Sequence, residues 1–168
     1  KTLIAELAAM KSIIEGKGKA IYIVPLKALA SEKYKDFKKK YDGIAKIALS
    51  MGDIDSSDSY LVDYDLIVTT SEKLDSLIRH HAPWISLIST IIIDEVHLLN
   101  DSGRGPTLEI LITILRQLLK KSQIIALSAT IGNPEELAEW LEAELVIDDW
   151  RPAKLHKGIY LDGEVEFE

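Results

Sequence analysis

No cysteine occurs among the 168 residues, so disulfides and thiolate-held metal centres are excluded, and the composition suits an intracellular protein. Nor is there a run of about 18 apolar residues, the length a membrane-crossing helix needs. The opening Lys1-Thr2-Leu3-Ile4-Ala5-Glu6 lacks the pattern of a secretory signal. Positive charge is in deficit: 20 Lys and Arg against 27 Asp and Glu give a net charge of −7. Bulk electrostatic capture of nucleic acid is therefore disfavoured, and any such contact has to come from a local surface. Internal repeats and low-complexity tracts are also missing.

What is present is globular: 47% hydrophobic and 28% charged residues, enough for one sizeable core. Abundant isoleucine, with Lys and Glu dominating the charges, points to a thermophilic source. The centre of the pattern is Thr90-Ile91-Ile92-Ile93-Asp94-Glu95-Val96-His97. Three isoleucines in a row read as a strand buried on both faces, as inside a parallel sheet. Two carboxylates follow where that strand ends, and ligands of open α/β sheets sit beyond the carboxyl ends of strands. An apolar strand ending in Asp-Glu is the Walker B arrangement, with one carboxylate for Mg²⁺ and the next for a water. Taken alone, the pair also fits a solvated acidic turn.

Before this stretch, residues 2–15 place Leu3, Leu7, Met10 and Ile14 at helical spacing, predicting a well-packed helix. Strands are expected at 20–24, 44–50, 65–69, 90–94 and 123–127, with a last short one at 144–147. Helices are expected after Pro25, from Thr70-Ser71 to about Arg79, after Gly103-Arg104-Gly105-Pro106, and over 134–141 behind Asn133. A short helical turn is expected at 83–88. Asp53, Asp55 and Asp58 mimic a calcium loop, but its glycine and closing glutamate are missing, so a solvated loop is expected. His80-His81 lacks partner ligands at useful spacing. Near Trp150-Arg151-Pro152 the pattern weakens as at a domain edge. Strands alternating with helices of ten or more residues predict a three-layer α/β fold with a parallel sheet and right-handed crossovers.

The expected strands end in Pro25-Leu26-Lys27, Thr70-Ser71-Glu72-Lys73, Glu95-Val96-His97 and Ser128-Ala129-Thr130. Parallel strands put these ends along one edge, so a shared cleft is expected there. Each residue also has a plainer reading. Lys1 can be a solvated terminal charge, Thr70 and Ser71 helix caps, His97 a packed ring, Ser128-Ala129-Thr130 a simple turn, and the lysines at 33, 35 and 38–40 a solvated face.

Lys1-Thr2 opening a helix, Pro-Leu-Lys-Ala-Leu, Thr-Ser-Glu-Lys, Asp-Glu-Val-His and Ser-Ala-Thr, in that order, resemble a superfamily 2 helicase. The nearest likeness is to the first RecA-like motor domain of the DExH, superkiller-type branch. Arg-Gly-Pro-Thr-Leu-Glu and Ile-Gly-Asn-Pro-Glu-Glu-Leu-Ala-Glu-Trp-Leu make the chain look similar to archaeal fork-repair DNA helicases. The resemblance covers essentially the whole chain. It implies that Lys1 acts on the β- and γ-phosphates of ATP, and that Thr2 and Asp94 hold Mg²⁺. It further implies that Glu95 orients the attacking water, and that His97 links this site to Ser128, Ala129 and Thr130. Pro25, Leu26, Lys27, Thr70, Ser71 and Arg104 are implied to contact nucleic acid. The implied activity is ATP-driven unwinding with 3′–5′ polarity on single-stranded or forked nucleic acid, DNA over RNA, in an intracellular (cytoplasmic, archaeal) setting.

Against that pattern, the Gly-rich part of the phosphate loop and the strand before it do not precede Lys1, and neither does the adenine-reading segment. The expected division is a RecA-like ATP-binding domain at 1–150, truncated at its start, and a connector at 151–168 toward a second RecA-like domain. A fragment so trimmed is expected to turn over ATP weakly or not at all. Three other readings stay open: an RNA helicase of the same branch, a non-enzymatic RecA-like module, and a GTPase switch, for which the Asn-Lys-x-Asp element is missing.

Overall fold

The structure, a computed structural model, describes residues 1–52, 58–129, 131–148, 153 and 156–167. Two compact units divide the chain, Lys1–Gly132 and Asn133–Glu168. In the first, helix and strand alternate: α1 (Thr2–Ile14), β1 (Lys19–Val24), α2 (Lys27–Lys40), β2 (Ile47–Ser50), β3 (Leu66–Thr70), α3 (Ser71–Arg79), β4 (Ile88–Ile93), α4 (Gly105–Leu118) and β5 (Gln123–Ala126). Short 3₁₀ turns occupy Ser59–Asp63, Pro83–Leu87 and Val96–Asn100. All five strands pair in parallel in the order β2-β3-β1-β4-β5. The expected parallel α/β fold is observed.

The strands β1, β3 and β4 are buried on both faces because they are largely apolar, whereas β5 at the sheet edge is only partly buried. Ala20, Tyr22, Val24, Leu66, Val68 and Ile92 share one core with Ala5, Ala9 and Met10 of α1 and Ala30 and Phe37 of α2. Their alternates Ile21, Ile23, Ile67, Ile91 and Ile93 are as deeply buried on the opposite face. Each such isoleucine contributes about 1.5–3 kcal/mol relative to exposure. β1 and β4, the strands that carry Tyr22 and lead into Asp94, thus lie within this core.

Two expectations are corrected. The inward face of α1 is Ala5, Ala9, Met10 and Ser12, while Leu3, Leu7 and Ile14 are 56%, 60% and 69% exposed. Small side chains at i, i+4 and i+7 let the helix axis approach the sheet closely, and Ser12 Oγ reaches Ser89 Oγ at 2.7 Å. The larger residues are left on the flank. Residues 144–147 form no strand, and Leu145, Val146 and Ile147 are exposed. A four-residue apolar segment has no reason to extend without a ladder to join. The tail instead contains a hairpin, β6 (Gly158–Leu161) against β7 (Glu164–Phe167), antiparallel about Asp162-Gly163, whose φ values of 50° and 93° suit a tight hairpin turn.

In the second unit α5 (Pro134–Leu141) starts at Asn133, as expected. The amide of Asn133 donates to Glu136 Oε2 at 2.6 Å instead of accepting a backbone N–H. Asp53 and Asp55 of the calcium-like loop, Thr130, and Trp150-Arg151-Pro152 lie outside the described residues.

Candidate active site at the carboxyl edge of the sheet

Parallel register brings the ends of β1, β3, β4 and β5 to one edge, which places Pro25, Thr70, Asp94 and Ser128 on the same side of the sheet. Asp94 extends the β4 ladder by one bond, its N–H donating to Ile23 O at 2.9 Å. Two-residue alternation then puts its side chain on the face of Ile92, and Ile92 pairs with Tyr22. The Tyr22 hydroxyl donates to Asp94 Oδ2 at 2.9 Å, and the Glu95 backbone N–H donates to Oδ1 at 3.1 Å. Burial first, then the Asp94 charge, push the Tyr22 phenol far above its ordinary pKa, while the Thr2 side chain acts on it in the opposite sense. Tyr22 is therefore a neutral hydrogen-bond donor at any working pH.

Further extension of the strand would send Glu95 to the opposite face. It leaves the strand in the left-handed region, φ 54° and ψ 45°, and both carboxylates consequently line one cleft. Glu95 Oε2 lies 3.3 Å from His97 Nδ1, but the alignment makes no hydrogen bond, and Nδ1 is a buried atom without a partner. The Ser128 hydroxyl is also buried without a partner, so the implied His97–Ser128 link is not made in this conformation. Reciprocal bonds fix the surrounding backbone: Leu127 N–H to Ile93 O at 2.8 Å and Val96 N–H to Leu127 O at 2.9 Å. The Lys1 ammonium donates to the carbonyls of Ser128 and Ala129, the latter at 3.0 Å.

A shallow depression at this edge is lined by Ile23, Val24, Pro25, Ser71, Asp94, Glu95, Leu98, Arg104 and Leu108. Among the sequence candidates it brings together the two carboxylates with Pro25, Ser71 and Arg104. Leu26 and Lys27 stand outside it, exposed at the start of α2. Thr70 is buried and spends its hydroxyl on the α3 cap, accepting from Lys73 N–H at 3.4 Å.

Three residues of the site's frame escaped sequence reading. Tyr22 was legible only as a strand residue. Lys73 is buried and forms an ion pair with Asp58 at 3.1 Å; nothing in Thr-Ser-Glu-Lys distinguishes a buried lysine from a solvated one. Asp101 accepts the N–H groups of Arg104 at 2.9 Å and Gly103 at 3.0 Å, and these bonds hold its carboxyl below the usual range. The Asp-x-Gly-Arg spacing was the available signal for this turn.

Among the described residues no three His, Asp or Glu gather as a metal cage. Each Asp94 oxygen accepts one hydrogen bond, which leaves lone pairs on both, and the Thr2 side chain adjoins the Tyr22 phenol. That donor set fits Mg²⁺, a hard cation held by one or two protein oxygens, with waters and phosphates completing the shell.

The DEAD/DEAH box helicase family model matches residues 1–137. An ATP-dependent DNA helicase Hel308 of Methanocaldococcus jannaschii is 56% identical over 99% of this chain. Those of Pyrococcus horikoshii and Pyrococcus abyssi are 52% and 54% identical over all of it. This chain spans 14% of the first relative's length and 23% of the other two. The likeness to archaeal DNA helicases, read from the motifs, is borne out.

Proposed function

This chain belongs to the DEAD/DEAH box helicase family, and from that premise we propose that it is the ATP-hydrolysing motor segment of a DNA helicase acting on single-stranded or forked DNA with 3′–5′ polarity. The observation that carries the reading is the shared cleft: Asp94 and Glu95 line the same depression as Pro25, Ser71 and Arg104. Hydrolytic groups and phosphate-gripping groups in one depression suit a machine in which nucleic acid and nucleotide sense each other. DNA is favoured over RNA because the relatives are named DNA helicases. Residues 1–150 are assigned to the RecA-like ATP-binding domain and 151–168 to a connector toward a second one. Among the described residues no helix is long and apolar enough to cross a membrane, and an intracellular location is proposed.

Each side chain has a stated task. Lys1 places an ammonium against the β- and γ-phosphates at the start of α1, where the helix dipole also favours anions. Asp94 and Thr2 hold Mg²⁺, which when bound neutralises charge on the phosphate oxygens. The Glu95 carboxylate orients the water that attacks the γ-phosphorus as the ADP oxygen departs. His97 Nδ1 and Ser128 Oγ, both unsatisfied where they stand, are the groups that gain partners when the site rearranges, with Ala129 and Thr130 alongside. Lys27, Ser71 and Arg104, with the backbone around Leu26, grip the phosphates of one strand, while buried Thr70 places Ser71 by capping α3; such a grip reads backbone and not base.

The test is unwinding by the full-length protein of duplexes carrying a 3′ or a 5′ single-stranded tail, in DNA and in RNA. ATP-dependent opening of the 3′-tailed DNA duplex is expected. Opening of RNA duplexes alone would move the activity to RNA, and opening of none would remove the helicase assignment.

A further inference from the structure

Tyr22 belongs to none of the motifs from which the function was read, yet it is the side chain that touches Asp94. Asp94 sits half-exposed at a strand end, where the last torsion of a carboxylate is broad and roughly two-fold. A backbone N–H on Oδ1, from Glu95, cannot by itself stop rotation about that contact. The Tyr22 hydroxyl on Oδ2 at 2.9 Å supplies the second point. Two donors on two oxygens define the carboxylate plane.

The hydroxyl is placed by the core and not by a loop. Tyr22 is almost fully buried on β1, its ring edge-on to Phe37 at 5.2 Å and 68°, with Ala5, Ala9 and Ile92 in the same cluster. The Thr2 side chain and the Glu6 charge also act on the phenol, so both residues assigned to Mg²⁺ bear on it. We propose that Tyr22 is a positioning residue that locks the Asp94 carboxylate, through Oδ2, in the orientation that receives the Mg²⁺–nucleotide. The inference rests on the functional reading above and adds a residue to it. Groups behind a metal-holding side chain fix its orientation, and their loss costs about 10–100-fold in metal affinity or activity.

The measurement is Mn²⁺ binding in the presence of ADP, followed by electron paramagnetic resonance, in the full-length protein and its Tyr22→Phe variant. That substitution keeps the ring against Phe37 and removes one oxygen, and melting temperatures are recorded alongside. The apparent Mn²⁺ Kd is expected to rise about tenfold while metal-free ADP binds unchanged. The Mg²⁺ concentration for half-maximal ATP hydrolysis should rise in parallel. In an Asp94→Asn background Tyr22→Phe should add nothing further. An unchanged Mn²⁺ Kd, or a rise that persists without the Asp94 carboxylate, would overturn the positioning role. Failure of the unsubstituted protein to bind Mn²⁺–ADP at all would overturn the functional reading, and the inference with it.

Discussion

At Glu95 the backbone departs from what an L-residue prefers, and a left-handed residue costs about 1–2 kcal/mol. The surrounding bonds from Val96 and Leu127 hold it there, and the return is a carboxylate delivered to the same cleft as Asp94. Strain of this kind concentrates where chemistry needs a geometry the chain would not adopt freely. Asp101 works by charge at the same rim. Its carboxyl pKa is held down in the folded state by the N–H groups of Arg104 and then Gly103. A depressed folded value gives stability that is present above the unfolded pKa of about 4 and is lost as pH falls through the lower folded value. The melting temperature of Asp101→Ala should therefore lie below that of the parent at pH 7, and the gap should close in acid below pH 4. Parallel thermal melts across that window check it; a gap independent of pH would assign the loss to packing alone. Residue identities at this site were legible because Asp94, Glu95, His97 and Ser128 stand at strand ends in a readable order. The fixing partners were not, since Tyr22 and Lys73 act through distances that no local spacing encodes.

Among the elements, the turn from the Val96–Asn100 segment into α4 is the tightest. A Cβ placed on Gly105 would meet the Leu99 carbonyl oxygen at 2.2 Å and its carbon at 2.9 Å, backbone atoms that cannot swing aside. Gly105→Ala should lower stability by about 1–3 kcal/mol, the cost of overpacking. It should also weaken DNA-stimulated ATP hydrolysis, because Arg104 and Leu98 of the cleft flank the clash. Chemical denaturation and hydrolysis rates measured on the same preparation check both effects; unaltered stability would refute the packing account. Element positions themselves were largely legible. Ile91-Ile92-Ile93, Pro106 in the first turn of α4 and Asn133 before Pro134 mark strands and starts by local chemistry. The inward face of α1 was not, because apolar size suggested Leu3 and Leu7 while close approach to the sheet selected Ala5 and Ala9. The local signal for the hairpin is the Asp162-Gly163 dipeptide, set in an acidic tail whose alternation is weak.

Over the whole molecule, a net charge of −7 is compatible with the proposed phosphate-binding role because the contacts it calls for are local. Pro25, Ser71 and Arg104 sit in a depression, with Lys27 exposed beside it. The strand order β2-β3-β1-β4-β5 puts β1 and β4, adjacent and deeply buried strands, beneath the carboxylates. Parallel alternation of helix and strand was enough to foresee that edge; which side chains share the cleft required the turn at Glu95 and the entry to α4 to be seen in three dimensions. If Glu95 drives hydrolysis of ATP in a site answering to DNA, steady-state ATP hydrolysis by the full-length protein, with and without single-stranded DNA and beside its Glu95→Gln variant, will reveal it. Strong stimulation by DNA is expected in the parent, and in the variant a loss of hydrolysis of about 10²–10⁴-fold with Mg²⁺–ATP still bound. Undiminished hydrolysis in the variant would contradict that role for Glu95.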